Sequence, residues 1–219
     1  LYLIDGYGLI YRAHFALIRR PLTNSRGQNT SAVFGFFSSL FQLLKLRKPS
    51  FLAVVMDSHT PTFRHEKYPQ YKANREKAPQ DLHDQVPVIE QILGALGICC
   101  LRRDGFEADD LIATLAARSR EEGRECYILS GDKDLLQLVG EGIYVIHPPK
   151  GAEDFAVLDR EGVHAARSIY PEQIVDYLAL TGDQSDNVPG VAGVGDKTAV
   201  KLLSEYRDLE RLYAELEQL

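Results

Sequence analysis

Short apolar runs alternate with helical patterns along most of this chain, and this alternation restricts the fold more than any other feature. The runs are rich in β-branched and aliphatic residues, as buried strands are. They are Leu1–Ile4, Phe51–Met56, Ile98–Leu101, Cys126–Leu129 and Ile143–Ile146. The segments with helical periodicity are Ser31–Arg47, Asp81–Leu96, Ala108–Glu122 and Lys133–Val139. Strands that alternate with helices predict an α/β fold with a mostly parallel, doubly wound central sheet flanked by helices.

Carboxylates follow these strands or begin the helices. Asp5, Asp57 and Asp132 each come just after a predicted strand. Because ligands of an open α/β sheet bind outside the carboxyl ends of its strands, we expect these acids to meet at one edge. The full set of candidate metal ligands is Asp5, Asp57, Glu107, Asp109, Asp110, Asp132, Asp134, Asp183 and Asp186. Any one of them alone would be read as a helix cap or a dipole partner, but their joint placement favours a metal site.

Carboxylates that lie close together need a compensating charge, because they cannot all ionise side by side. Hard divalent cations with oxygen ligands supply that charge, and Mg²⁺ is the usual ion in phosphate chemistry. The sequence therefore predicts a metal-dependent enzyme that transfers phosphoryl groups or hydrolyses phosphodiesters.

The charge balance is compatible with a nucleic-acid partner. A formal net charge of -6 by itself argues against such a partner. Setting the nine candidate ligands aside from 31 acidic residues leaves 22, against 25 Lys and Arg. If metal ions offset the acidic cluster, the remaining surface is mildly basic.

The remaining composition is typical of a cytoplasmic protein. No apolar run approaches the roughly 18 residues of a membrane span, and the chain opens with no signal-peptide pattern. The cysteines Cys99, Cys100 and Cys126 form no CxxC pair, so we expect buried free thiols in a reducing compartment. Since the chain begins LYLID without Met, we also expect a few residues to precede Leu1.

Residues 60–79 interrupt the alternation directly after the candidate ligand Asp57. The segment TPTFRHEKYPQYKANREKAP mixes cations with aromatic residues between prolines. Its cations are Arg64, Lys67, Lys72, Arg75 and Lys77, and its rings are Phe63, Tyr68 and Tyr71. Such a mixture suits single-stranded nucleic acid, because cations follow phosphates while rings stack on bases. A solvated connection is the alternative, but a position above the predicted metal site favours a function.

Residues 182–201, GDQSDNVPGVAGVGDKTAVK, join a helix predicted at Pro171–Thr181 to the start of one predicted at Asp196–Tyr206. Glycines let backbone amides approach a phosphate, and the following helix start adds a positive dipole end. The candidate phosphate-contacting residues here are Gly190, Gly193, Gly195, Lys197 and Lys201. This pattern is a helix-hairpin-helix signature for binding a DNA backbone without reading base sequence. A glycine-rich connection without a ligand is the alternative.

The ordered motifs of the chain resemble the 5′-nuclease domain family of bacterial DNA polymerase I, a branch of the flap endonuclease family. The matching segments are LIDG (3–6), VVMD (54–57), FRHEKYPQYKANR (63–75), GFEADD (105–110), SGDKD (130–134) and TGDQSDNVPGVAGVGDKTA (181–199). The resemblance implies a PIN-like 5′-nuclease fold, with a helical arch at about residues 60–80. It implies a nuclease core over residues 1–170 and a helix-hairpin-helix subdomain over residues 171–219. Because the family domain usually continues further, we expect more residues after Leu219.

The resemblance also assigns roles to individual residues. In the family the first acids hold one metal ion and the later acids a second, which implies two Mg²⁺ ions, with Mn²⁺ as a substitute. A monovalent cation at the hairpin is a further expectation. Lys72 and Arg75 match the catalytic cations of the arch. The residues implied to contact DNA are Arg12, Arg64, Tyr71, Gly190, Gly193, Gly195, Lys197 and Lys201.

Residues and resemblance together predict a structure-specific 5′ nuclease, a 5′-3′ exonuclease and flap endonuclease acting in replication and repair on DNA with 5′ flaps, nicks or gaps. We expect an attached polymerase domain beyond the C-terminus, and a nucleoid-associated place in the bacterial cytoplasm. The main alternative is a non-catalytic helix-hairpin-helix DNA-binding module. A small-molecule phosphatase is weaker, because LIDGYG lacks the second Asp of a DxD motif, and a single-strand-specific RNase would not need the hairpin.

Overall fold

A parallel sheet with one antiparallel edge strand organises the computed structural model, which describes residues 1–148 and 154–216. The strand order is β3–β2–β1–β4–β5–β6, and all neighbours pair in parallel except β5 and β6. The strands are β1 (Tyr2–Asp5), β2 (Leu52–Val55), β3 (Cys99–Leu101), β4 (Cys126–Leu129), β5 (Ile143–His147) and β6 (Ala156–Leu158). The predicted mostly parallel, doubly wound sheet is therefore confirmed.

Helices flank this sheet and continue into a C-terminal helical region. They are α1 (Gly6–Ala16), α2 (Ser31–Arg47), α3 (Phe63–Lys67), α4 (Gln80–His83), α5 (Val86–Ala95), α6 (Ala108–Glu121), α7 (Arg160–Arg167), α8 (Ile174–Thr181), α9 (Asp196–Tyr206) and α10 (Leu209–Leu216). A small antiparallel ribbon of β7 (Gly182–Asp183) and β8 (Val188–Pro189) follows α8. Within the described ranges, none of the helices is long and apolar enough to cross a membrane.

Consecutive strand residues point to opposite faces of the sheet and build two cores. Leu3 packs in one cluster with Ile112 of α6, whereas Ile4 packs in the other with Phe36 of α2. The first cluster also contains Leu203 of α9. The C-terminal helices thus pack on the same core as the sheet, which fixes them relative to the strand ends.

Two predicted helices differ from the structure. The segment Asp81–Leu96 divides into α4 and α5, because Pro87 lies in the first turn of α5, where its missing N–H needs no helical partner. The segment Lys133–Val139 forms a five-residue 3₁₀ helix at Asp134–Leu138 instead of an α-helix. A second short 3₁₀ turn precedes α8. Helices α1 and α7 and strand β6 were not predicted.

The prediction of buried cysteines was wrong for two of the three thiols. Cys126 is buried in β4, but Cys99 and Cys100 are exposed. Both lie in β3, the edge strand of the sheet, whereas β4 lies between β1 and β5. Because an edge strand has no neighbour on one side, these thiols are open to solvent.

The arch (residues 60–80) is less helical than predicted. It contains the short helix α3 and otherwise turns and irregular backbone, since Pro69 and Pro79 prevent a continuous helix. Lys72 adopts a left-handed φ of 56°, and its backbone N–H donates to the carbonyl oxygen of Asp186 at 3.1 Å. The arch is therefore held against the turn between β7 and β8.

The close approach of α1 and α2 at Gly35 provides a test of this packing. A Cβ at Gly35 would lie 2.6 Å from the Cβ of Ala13, whereas a Cβ at Gly94 of α5 would meet nothing within 4 Å. We expect Gly35→Ala to lower the free energy of unfolding by about 1–3 kcal/mol through overpacking. Gly94→Ala should raise it by about 0.5–1 kcal/mol by restricting the unfolded chain. Urea denaturation measures both changes, and shifts of the same sign would contradict the packing.

Candidate active site

Five of the predicted metal ligands line one open cavity at the carboxyl edge of the sheet, with a volume of about 380 Å³. Lys72 and Arg75 of the arch line the same cavity. The order of the strands reverses beside β1, so the cavity lies where an open α/β sheet binds its ligands. The five acids are Asp5, Asp57, Glu107, Asp109 and Asp132.

Asp5 ends β1 and also caps α1. Its carboxylate accepts hydrogen bonds from the Gly8 N–H at 2.9 Å and from the Ser130 hydroxyl at 2.7 Å. Gly8 has to lack a side chain, because its Cβ would lie 2.1 Å from a carboxylate oxygen of Asp5. Burial, together with the charges of Asp57 and Asp132, raises the pKa of Asp5 to about 6.

Asp57 and Asp109 bring the end of β2 and the first turn of α6 to the cavity. The Asp57 carboxylate accepts the Ala108 N–H at 2.8 Å and so ties the strand to the helix start. Burial, followed by the charges of Asp5 and Asp132, raises the pKa of Asp109 to about 8. Carboxylates in this state lack a compensating positive charge, which a divalent cation supplies.

Glu107 caps α6 and is held by the arch. Its oxygens accept hydrogen bonds from the Tyr71 hydroxyl at 2.9 Å and from Lys72 Nζ at 2.7 Å. The Tyr71 hydroxyl also lies 2.9 Å from Oδ2 of Asp186, and Arg75 donates to the other oxygen, Oδ1, at 2.8 Å. The arch cations therefore neutralise acids of the site in this conformation.

The other four predicted ligands, Asp110, Asp134, Asp183 and Asp186, do not line the cavity. Asp186 is bound by the arch, and Asp110 and Asp183 also have cationic partners. Asp110 accepts two hydrogen bonds of 2.8 Å from Arg64. Although burial acts to raise it, these hydrogen bonds lower the pKa of Asp110 overall. Asp183 pairs with Lys133 at 3.2 Å. Each of these acids already has a positive charge beside it.

Asp134 is different, because one of its carboxylate oxygens is buried without a hydrogen-bond partner. Burial, followed by the charge of Asp132, raises the pKa of Asp134 to about 6. An unpaired buried oxygen is costly, and a bound cation would satisfy it. Among residues 1–148 and 154–216, however, no three His, Cys, Asp or Glu side chains meet closely enough to form a ready-made metal site. The acids have the oxygen donors that hard cations prefer, but they line an open cavity and are not gathered around one point.

Three predicted DNA-contacting residues near the cavity have protein partners. Arg64 pairs with Asp110, and Tyr71 is only 6% exposed, with its hydroxyl on the carboxylates. This burial leaves little of the Tyr71 ring for stacking, so its placement differs from the expectation. Arg12 lies outside the cavity lining and donates to the carbonyl oxygen of Pro148 at 3.1 Å.

The glycines of the predicted hairpin serve two purposes. A Cβ at Gly190 would lie 2.3 Å from the backbone carbon of Thr181, so packing requires glycine there. Gly193, with a φ of +82°, and Gly195 meet nothing within 4 Å. Their backbone is therefore open to a phosphate group. The exposed cations on the following helix α9 are Lys197 and Lys201.

Sequence reasoning missed residues that shape the cavity. The Ser130 hydroxyl donates to Asp5 and accepts the Asp132 N–H at 2.9 Å, so it links two acids. Its position directly after β4, as the first residue of SGDKD, is the signal that would have found it. Tyr7 and Tyr11 line the cavity from successive turns of α1, with ring centroids 6.2 Å apart. Their spacing becomes informative only once α1 is known.

Family comparison agrees with this fold. Residues 1–167 match the model described as the 5'-3' exonuclease, N-terminal resolvase-like domain. Residues 169–219 match the model described as the 5'-3' exonuclease, C-terminal SAM fold. The chain therefore belongs to the 5'-3' exonuclease family.

Curated relatives are similar over nearly the whole chain. It is 50% identical over 213 residues to DNA polymerase I of Treponema pallidum (strain Nichols), covering 97% of this chain and 21% of that protein. It is 45% identical over 212 residues to a 5'-3' exonuclease of Aquifex aeolicus (strain VF5), covering 97% of this chain and 71% of that protein. The chain thus spans about a fifth to a quarter of the DNA polymerase I relatives that it matches.

Solved structures share the fold. A T5 5'-exonuclease with bound zinc ions has a TM-score of 0.77 at 20% identity, covering 99% of this chain and 79% of that one. A T5 D15 flap endonuclease in complex with DNA and metal ions has a TM-score of 0.74 at 19% identity, covering 98% of this chain and 78% of that one. The predicted PIN-like 5′-nuclease fold is confirmed.

The raised pKa of Asp109 gives a pH-dependent test of the acid cluster. Its pKa is about 8 in the folded chain, against an ordinary value of 3.8. At a pH between these two values, the folded state therefore keeps a proton that the unfolded state has lost. Without metal, the free energy of unfolding should therefore fall as pH rises through this range, since the native state binds more protons. Each pKa unit corresponds to about 1.4 kcal/mol.

We expect Asp109→Asn to flatten this decline and to be more stable than the wild type at about pH 8, because an amide carries no charge to bury. Urea denaturation in EDTA from about pH 5 to pH 8 measures the slope. Asp104→Asn, at an exposed acid in the preceding loop, should leave the slope unchanged. A wild-type slope in the Asp109 variant would contradict the expected repulsion.

Proposed function

We propose that this chain is a divalent-metal-dependent 5′ nuclease, a 5′-3′ exonuclease and flap endonuclease that hydrolyses DNA at 5′ flaps, nicks or gaps. The observation that carries the proposal is the meeting of acids from β1, β2, α6 and the loop after β4 with cations of the arch in one cavity. Membership of the 5'-3' exonuclease family supports it. The polymerase relatives support a further proposal, that the chain is the nuclease portion of a DNA polymerase I.

The cavity acids would hold the metal ions through carboxylate oxygens, the donor type that hard divalent cations prefer. The proposal includes two Mg²⁺ ions, with Mn²⁺ as a substitute, and a second set of ligands among Asp134, Asp183 and Asp186. Divalent ions at such a site supply an activated water and stabilise the leaving oxygen. The raised pKa values of Asp5 and Asp109 and the unpaired oxygen of Asp134 support this assignment.

Lys72 and Arg75 would donate to the phosphoryl oxygens and offset the charge that develops there during hydrolysis. Their present partners are Glu107 and Asp186. A phosphate that enters the cavity offers both cations a new acceptor, so they change partners when substrate binds. They touch the reacting group and are therefore proposed as catalytic residues.

The hairpin between α8 and α9 would hold the duplex through its backbone. Open amides near Gly193 and Gly195, with Lys197 and Lys201 on α9, suit phosphate oxygens. Contacts of this kind fix position without reading bases. The cleavage position would accordingly depend on the shape of the DNA. A monovalent cation at this hairpin stays a prediction.

We expect Asp132→Ala to lower the rate of Mg²⁺-dependent flap cleavage by more than about 100-fold, because it removes a proposed metal ligand from the cavity. Flap binding, measured by fluorescence anisotropy in EDTA, should change little. Glu121→Ala, at an exposed acid on the far end of α6, is the matched control. EDTA should also stop cleavage by the wild type. Undiminished cleavage by the Asp132 variant would support a non-catalytic DNA-binding module instead.

Lys72→Ala should lower the single-turnover cleavage rate by about 100- to 1,000-fold, the range for removing one charge-stabilising donor. Its affinity for flap DNA should fall much less, because one phosphate contact contributes modestly to binding. Lys77→Ala removes an exposed cation from the same arch and should alter neither quantity strongly. Matching losses of rate and affinity in the Lys72 variant would assign this residue to anchoring.

A further inference from the structure

A second cavity lies beside the arch and differs from the acidic one in size and chemistry. Its volume is about 690 Å³, and it lies between the base of the arch, the loop after β3 and the outer face of α6. Its walls are mainly apolar, with few polar groups, which is typical of ligand sites of this size. The apolar residues that matter here are Phe63, Leu101, Phe106, Leu111 and Leu115.

Two aromatic rings on this cavity carry cations, and over Phe63 there are two, of which the Arg64 guanidinium lies 4.7 Å from the centroid. The rings of Phe63 and Phe106 have centroids 6.0 Å apart and are tilted by 55°. Lys67 Nζ lies 5.6 Å from the Phe63 centroid, and the Arg103 guanidinium lies 5.5 Å from the Phe106 centroid. Phe106 is 39% exposed, so its ring is accessible from solvent.

The cations around this cavity are not equivalent. Arg64 is paired with Asp110, and Arg102 with Glu90. Within residues 1–148 and 154–216, the side chains of Lys67 and Arg103 lie over the rings, and neither has a carboxylate partner. Positive charges without acidic partners, placed over aromatic faces, match a ligand that carries both phosphates and bases. An apolar peptide would match the rings and leave both charges uncompensated.

The second cavity is tied to the candidate active site by short connections. Phe106 directly precedes Glu107, whose side chain lies among the acids. The Gly105 N–H donates to the Ser58 hydroxyl at 3.1 Å, and the Phe63 N–H donates to the Gly105 carbonyl oxygen at 3.4 Å. These bonds hold the arch base against the loop that carries Phe106 and leads into Glu107, so the rings and the acids belong to one connected segment.

We propose that this cavity binds an unpaired nucleobase of the 5′ single strand of DNA, stacked on Phe106 and Phe63, with its neighbouring phosphates at Lys67 and Arg103. The inference rests on the proposed function, because it takes its ligand from the same DNA substrate. Stacking on rings is indifferent to base identity. The cavity would therefore select single-stranded over paired DNA and act before any chemical step.

The absence of tryptophan from the sequence permits a direct test. Phe106→Trp keeps an aromatic ring and introduces a single tryptophan. We expect an oligothymidylate of about ten nucleotides, added in EDTA, to quench the fluorescence of this tryptophan. The midpoint of the quenching titration should equal the midpoint of binding, measured by the fluorescence anisotropy of the same oligonucleotide carrying a label. Phe51→Trp is the matched control, because Phe51 is also exposed, at 57%, and the Arg124 guanidinium lies 5.4 Å from its ring centroid. Phe51 directly precedes β2, at the amino ends of the strands. Its fluorescence should not respond.

A second variant distinguishes the loss of a base-binding pocket from a general loss of DNA affinity. Phe106→Ala should lower affinity for a 5′-flap duplex by about 5-fold or more, as expected for one lost stacking contact. Its affinity for a nicked duplex without a flap should stay at the wild-type value. Equal losses on both duplexes, or unquenched Phe106→Trp fluorescence when DNA is bound, would overturn the proposal and favour a protein partner for this face.

The two proposals fail in different ways. Quenching and binding are measured in EDTA and need no cleavage. Unquenched fluorescence in a chain that still cleaves flaps would sink the base pocket alone. Normal quenching in a chain that shows no Mg²⁺-dependent cleavage would sink the nuclease proposal alone. A chain that does not bind the oligonucleotide at all would also overturn the base-pocket proposal.

Discussion

Repulsion between buried carboxylates at the carboxyl edge of the sheet is the constraint on which the site depends. Parallel pairing brings the end of β1 next to the end of β2, so Asp5 and Asp57 lie close however far apart they are in sequence. The cavity acids Asp5 and Asp109 respond with pKa values raised to about 6 and about 8. Glu107 instead accepts a hydrogen bond from Lys72 of the arch. The same repulsion thus favours the binding of cations, and it stabilises the contact between the cations of the arch and the acids of the site.

The strands and their terminal acids were predictable because both depend on local sequence. Aliphatic runs identify β1 and β2, and parallel topology then places Asp5 and Asp57 without further information. Helix α1 was not predictable in this way, because Gly6 and Gly8 in its first turn weaken the helical pattern. Their reason is tertiary: a Cβ at Gly6 would lie 2.2 Å from the Met56 sulfur, and one at Gly8 would strike Asp5. Local rules cannot reveal such contacts.

The division of the acids into two groups was also beyond sequence reasoning. Asp110 and Asp109 are neighbours, yet one is bound by Arg64, 46 residues away, and the other faces the cavity. Asp186 meets Arg75 across 111 residues. Which acids are left without a cationic partner therefore depends on where the arch folds back. For the same reason Tyr71, expected among DNA contacts, lies buried between carboxylates.

The arch pairing couples substrate and metal in the proposed nuclease. While Lys72 binds Glu107, this carboxylate is neutralised and the cation is occupied. A phosphate that attracted Lys72 would uncover the carboxylate, and a cation that bound the carboxylate would release Lys72 for the phosphate. Because coupling free energies are reciprocal, each event favours the other by the same factor. Without substrate, Lys72 and Arg75 offset only part of the negative charge of the cavity acids. In the proposed nuclease, DNA and metal ions would replace these pairs between the arch and the acids.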